Sequence, residues 1–369
     1  MRLLQKECGK CLRHPFLWIV CITFGLFQFL SIYTYVGNAG MRKELRQMHV
    51  AVTDEETASP EYESAYADYK KTYGGMYDTL DMRKILEQKE KKSGYEPQGV
   101  WGSWIVRNYD RLQKRVEQIR KTGEGTYAFY PGSWYKLHST LYGKLWKNLI
   151  LQTAVLMILS MLYLMDYERI YKTQDLVLAT TTGKKMMEKK MLAGTLCGLF
   201  YAGLLTVFTL LVFFAAVPFQ NLWHVPVAAC MVAEPRLQMM YPFVTFWRLE
   251  QWRYFLLALV VLVGLLGIIA VVTAAVQLFL QNSYFSFAVL GLLFMGAYLL
   301  AYVQMGNVWD LIRELFNPTV LYATSGGWFM ENDLCLSFAG NEFAVLFCSG
   351  TAAVCLMSVE KRRYHRLEV

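Results

Sequence analysis

Metal capture, nucleophilic attack and proton transfer each need particular side chains at particular spacings, and this chain offers few of them. Among its five histidines, His14, His49, His138, His224 and His365, no pair has metal-ligand spacing. Cys8 and Cys11 form a C-x2-C, but a structural zinc site takes about four ligands and no second pair follows. They read as two ordinary thiols. Cys21, Cys197, Cys348 and Cys355 lie in apolar stretches and are expected to pack. Cys230 and Cys335 lie outside those stretches and are open to pairing, which spacing alone does not decide. Thr182-Gly183-Lys184-Lys185 has the tail of a phosphate-binding loop. It lacks the glycine five residues earlier and the Ser or Thr after the lysine. No G-x-S-x-G or H-E-x-x-H pattern occurs. The expectation is a chain with no metal, no nucleotide-binding domain of its own and no catalytic set.

The elements that position these residues are apolar. No charged residue occurs between Arg253 and Asp310, a run that holds two stretches, 254–280 and 285–303, around Gln281-Asn282-Ser283. A lipid-spanning helix needs about 20 apolar residues, so each stretch is long enough to cross. Similar uncharged runs lie at 15–36, 148–165, 191–217 and 343–359. Charged residues are only 18% of the chain and hydrophobic ones 55%, against roughly 25% charged in soluble domains. The expected fold class is an all-α polytopic membrane protein, with six transmembrane helices and a helical extracellular domain. The net charge of +8 is assigned to membrane-flanking loops rather than to a nucleic-acid surface.

Topology follows from the basic residues. Arg2, Lys6, Lys10 and Arg13 precede the first span, and Arg169, Lys172, Lys184, Lys185, Lys189 and Lys190 follow the second. Lys361, Arg362, Arg363 and Arg366 follow the sixth. Six crossings place all three groups on one side, which the positive-inside rule makes cytoplasmic. Arg42, Lys43 and Arg46 run against that orientation, but they open a segment of about 110 residues, and long translocated segments largely escape the rule. The first span lacks a small-residue cleavage site and reads as an uncleaved anchor. The expected layout begins with residues 1–36 as a cytoplasmic N-terminus and first span. Residues 37–147 form an extracellular domain, 166–190 a cytoplasmic loop and 360–369 a cytoplasmic tail. Segments 218–253 and 304–342 are external, all in a bacterial plasma membrane.

Within 37–147, Tyr62, Tyr66, Tyr69, Tyr73, Met76 and Leu80 repeat at helical spacing, as do Trp101, Ile105, Tyr109, Leu112, Val116 and Ile119. An antiparallel helix pair is expected, with Asp78 or Asp81 capping a new helix after Gly74-Gly75. Phe129, Tyr130, Trp134, Tyr135 and Trp146 are expected to form an interfacial aromatic belt. The apolar part of 218–253, residues 222–232, is too short to span and is expected on the outer leaflet. Asn317-Pro318 and Ser325-Gly326-Gly327 predict a broken or re-entrant helix within 304–342. Ionisable residues are confined to span ends, with Asp166 and Glu168 inside and Glu342 outside. Ion-coupled carriers bury such groups within their helices, so energy for any transport is expected from outside this chain.

The loop after the second span carries the most specific pattern. Glu168 ends the span, then come Thr173, Leu176, Thr180, Gly183 and Lys184, and Lys190 opens the third span. This series resembles the permeases of ABC-2 type ABC transporters, with Lys184 in place of the commoner arginine. The six spans and the ectodomain between spans one and two also resemble Gram-positive members. The motif covers about 25 residues and the layout covers most of the chain. The resemblance implies that 168–190 docks on a separate P-loop ATPase, which binds the ATP and Mg2+. It also implies a homodimer or a pair with a second permease. A helix resting on anionic membrane lipids is the alternative reading of this segment. Phe- and Met-rich uncharged spans suit an amphiphilic cargo, such as an antimicrobial peptide, drug or lipid-like molecule. A sensor or stress-response protein with a peptide-binding ectodomain is the alternative from another class.

Overall fold

The computed structural model describes residues 2–38, 40–42, 77–93, 99–124, 133–173, 183–217, 222–231, 244–303, 308–331 and 338–367, with isolated positions between them. The described residues form helices and no strand, apart from two isolated bridges, Pro226 with Glu250 and Thr245 with Met330. Six helices among them are long and apolar enough to cross a membrane. The protein is an all-α polytopic membrane protein.

The chain opens with α1 (Arg2–Leu12), which ends where Pro15 starts the first span, α2 (Pro15–Gly37). Proline fits a first helical position because that N–H has no helical partner. Two helices, α3 (Met82–Ser93) and α4 (Gly99–Thr122), precede the return to the bundle. The second crossing begins with α5 (Ser133–His138), widens into a π-helical segment (Ser139–Leu145) and continues as α6 (Trp146–Ile170). The third is α7 (Gly183–Ala216), and a short buried helix, α8 (Val227–Met231), follows it. The fourth and fifth are α9 (Gln251–Leu280) and α10 (Ser283–Ala301). Gln281 ends α9 in the left-handed region at φ 51°, and Asn282 Oδ1 accepts the Tyr284 and Phe285 N–H groups at 3.0 and 3.1 Å. That cap starts α10 within one turn of the end of α9. Two short helices, α11 (Val308–Leu315) and α12 (Thr319–Ala323), precede the last crossing, α13 (Asn341–Leu367).

Helix α6 is the hub, packed against α2, α7, α9 and α10. Its buried face runs through Leu149, Thr153, Leu156, Met157, Ser160, Met161 and Leu164. Gly194 and Gly198 of α7 lie on Met161 and Met157, so close that a Cβ at either would be 3.1 Å from the methionine Cα. Small residues four apart let two backbones approach where lipid supplies no hydrophobic drive for association. The outward faces carry exposed Ile19, Ile22, Leu26, Leu292, Met295 and Phe347. An apolar face of that extent belongs in hydrocarbon.

The end of the bundle away from α1 carries a second core. Tyr109, Leu112, Val116 and Ile119 of α4 bury against Tyr77, Leu80, Met82 and Ile85. The partner of α4 is thus α3; the 62–76 repeat lies outside the described residues apart from isolated positions. Asp81 caps α3, its Oδ1 accepting the Arg83 and Lys84 N–H groups at 3.0 and 3.3 Å. Arg115 meets Glu124 through two bonds of 3.3 and 2.5 Å, both side chains buried. Two expectations for this end change. Trp146 is not at an interface but 1% exposed, packed edge-on to Phe255 in the bundle core. Phe129 and Tyr130, and the side chains of Trp134 and Tyr135, lie outside the described residues. Leu222 and the run from Val225 to Cys230 are buried by protein rather than lipid, with Tyr77 Oη donating to Ala228 O at 3.0 Å. Leu222, Val225, Val227, Ala229 and Cys230 join the bundle core, and Ala228 joins the core of the helix pair. The 308–331 region is a broken helix, turned at Asn317, whose Oδ1 accepts the Thr319 N–H at 3.1 Å. Gly326 packs on Gly143, where a Cβ would meet the Gly143 Cα at 3.1 Å.

Candidate functional site

The charged end of the bundle brings α1, the α6 and α7 termini, the 281–283 turn and the end of α13 together. Leu4, Cys8, Cys11 and Leu12 recur at helical spacing and lay α1 on α6 and α7. Glu7 shares that face and is 1% exposed. A buried carboxylate requires cations to accompany it. Lys10 supplies one, its Nζ 2.6 Å from Glu7 Oε1 and 3.1 Å from Glu168 Oε1. The same ammonium lies 4.4 Å above the Tyr167 ring. Lys190 of α7 pairs with the other oxygen of Glu168. One glutamate therefore joins three helices.

Neighbouring contacts extend the linkage. Asp166 Oδ2 accepts Ser283 Oγ at 2.8 Å, tying α6 to the start of α10. Lys361 of α13 pairs with Glu188 of α7, and the Arg363 guanidinium lies 4.7 Å above the Phe279 ring at the end of α9. Thr173 closes α6, its N–H donating to Glu168 O at 2.8 Å and its hydroxyl approaching the same oxygen at 3.4 Å.

Glu168 and Lys190, assigned by sequence to a docking loop, are brought together and are buried, 6% and 5% exposed. Both spans continue as helix beyond their apolar runs, so these residues end α6 and enter α7 instead of lying in a loop between the spans. Gly183 and Lys184 open α7; Leu176 and Thr180 lie outside the described residues. Sequence reading counted Lys10 only as a topology signal and passed over Glu7. The usable signal was Glu7 falling on the Leu4–Cys8–Cys11 face of a helix. Cys8 and Cys11 pack beside Cys197, whose Sγ lies 3.8 Å from Cys8 O. Burial, reinforced by Cys197 and Glu7, pushes the Cys8 thiol up to about 11. No group of three His, Cys, Asp or Glu among the described residues could hold a metal. Cys230 is buried and accepts Gln251 Nε2 at 3.1 Å, while Cys335 lies outside the described residues.

This arrangement is mechanical in character. Pulling Glu168 from Lys190 takes the paired carboxylate away from a buried ammonium, whereas Lys10 keeps Glu7. The ion pairs of Glu168 therefore tie α1, α6 and α7 to one another at this end of the bundle. No family model, curated protein or solved structure matches this chain.

Proposed function

We propose that this chain is the membrane-spanning permease subunit of an ABC-2 type exporter, driven by a separate P-loop ATPase that binds ATP and Mg2+. The observation that carries the reading is the Lys10–Glu168–Lys190 linkage at the base of the 173–184 series. In this reading the charged end is cytoplasmic, and Thr173, Leu176, Thr180, Gly183 and Lys184 meet the ATPase. Glu168 and Lys190 act behind them as positioning residues that pass the ATPase's closure to three helices. A homodimer, or a pair with a second permease, encloses the path of an amphiphilic cargo across a bacterial plasma membrane.

The test is gentle solubilisation from the native membrane and mass spectrometry of what co-purifies. The expected result is a stoichiometric P-loop ATPase, lost when 180–185 is replaced by a Gly-Ser linker. A preparation without ATPase, under conditions that preserve other transporter complexes, overturns the reading. The separate core of α3 and α4 favours one second reading, a sensor with a peptide-binding outer domain. That reading predicts tight peptide binding by the full chain with no ATPase partner.

A further inference from the structure

At the end of the bundle opposite Glu168, a cleft of about 640 Å³ opens between the exit of α2 and the entry of α6. Its size falls within the range of small-molecule sites, roughly 300–1,000 Å³. Thr34 and Asn38 form one wall, and Lys144, Lys147 and Asn148 form the other. The only charged residues lining it, among those described, are the two lysines. The second wall owes its shape to the π-helical segment Ser139–Leu145. π segments displace the backbone register and are frequent at functional sites.

Three further features argue for a built site. Lys147 does not wave in solvent, since its Nζ lies 5.1 Å above the Tyr322 ring and 6.0 Å from the Tyr298 ring. Asn38 turns its Oδ1 to the Gly40 N–H at 3.0 Å, which leaves its amide NH2 as the donor on offer. One helical turn deeper, Gln28 and Gln152 meet at 2.8 Å, and Gln28 Oε1 is buried without a hydrogen-bond partner. A buried polar atom is costly unless hydrogen-bonded, and Gln28 Oε1 is the atom of this pair left without a bond. Immediately below the cleft, Phe27, Leu30 and Leu151 are exposed on the lipid-facing surface.

Cationic and amide donors above, with an open apolar surface below, match one kind of ligand. We propose that this cleft binds the phosphate headgroup of an anionic amphiphile, whose chains lie along α2 and α6. The proposal stands apart from the exporter reading, because a subunit with no ATPase can still hold such a molecule.

The experiment uses the full chain in nanodiscs, with native mass spectrometry and titration of phosphatidic acid against phosphatidylcholine. Wild type is expected to retain phosphatidic acid selectively. A basic side chain at an anionic lipid surface contributes a factor of about five, so K144Q/K147Q should weaken retention about 30-fold. K114Q, at an exposed position on α4, should leave it unchanged. Equal retention of the two lipids, or full retention by K144Q/K147Q, overturns the proposal. Millimolar inorganic phosphate separates the sources. Failure to displace the lipid is expected, whereas complete displacement marks a site for soluble phosphate and overturns the lipid assignment. Should K144Q/K147Q unfold, K144R/K147R, which keeps both charges, is expected to retain the lipid like wild type. Loss of lipid by a folded K144R/K147R overturns the role of charge.

Discussion

Glu168 compensates two ammonium groups, Lys10 at 3.1 Å and Lys190 on its other oxygen. Glu168→Gln keeps the shape but strands Lys190, whose side chain is 6% exposed. Breaking one partner of a buried pair costs about 3–5 kcal/mol, whereas replacing both by apolar groups is often neutral. Glu168→Gln should therefore lower the unfolding temperature of the detergent-solubilised protein markedly, and E168L/K190L should recover most of the loss. Equal stability of Glu168→Gln and wild type would show that the pair is solvated and carries no load. Residue type and sequence position alone pointed to Glu168 and Lys190. Their burial and the participation of Glu7 and Lys10 depend on α1 folding back, which residue types do not announce.

At the scale of elements, the contact of α6 with α7 depends on Gly194 and Gly198 facing Met161 and Met157. Gly198→Ala places a methyl 3.1 Å from the Met157 Cα, so the backbones must part. Overpacking of this kind costs about 1–3 kcal/mol. Thermal unfolding should show that loss for Gly198→Ala, and none for Gly203→Ala, whose Cβ meets nothing within 4 Å. Truncating Met157 in the Gly198→Ala background should return part of the loss, because neighbouring substitutions couple. The spans were legible as uncharged runs. Their ends were not, since α6 and α7 carry charged turns beyond the apolar stretch and only tertiary pairing keeps those turns helical. The π segment left no sequence signal at all.

For the whole molecule, an even number of crossings places α1 and the end of α13 at the same end, and Lys361 with Glu188 closes that arrangement. Reporter fusions should respond accordingly. A fusion after Val369 is expected to be active only as a cytoplasmic reporter. One inserted at Gly94, between α3 and α4 in the sequence, is expected to be active only as an exported one. The opposite pair of results reverses the orientation assigned from the basic residues.

The sequence by itself determined that the chain lives in a bilayer as six helices, because hydrocarbon admits only backbone that satisfies its own hydrogen bonds over some 20 residues. It also determined which loops are basic, since charge is local and can be counted. Only the tertiary structure decided which face of each helix meets protein and which meets lipid, because apolar residues suit both. It likewise decided that Leu222 and the run from Val225 to Cys230 are buried by protein, and that Glu7, Lys10, Glu168 and Lys190 form one network. A buried charge is defined by its partners, and these come from segments more than 150 residues apart.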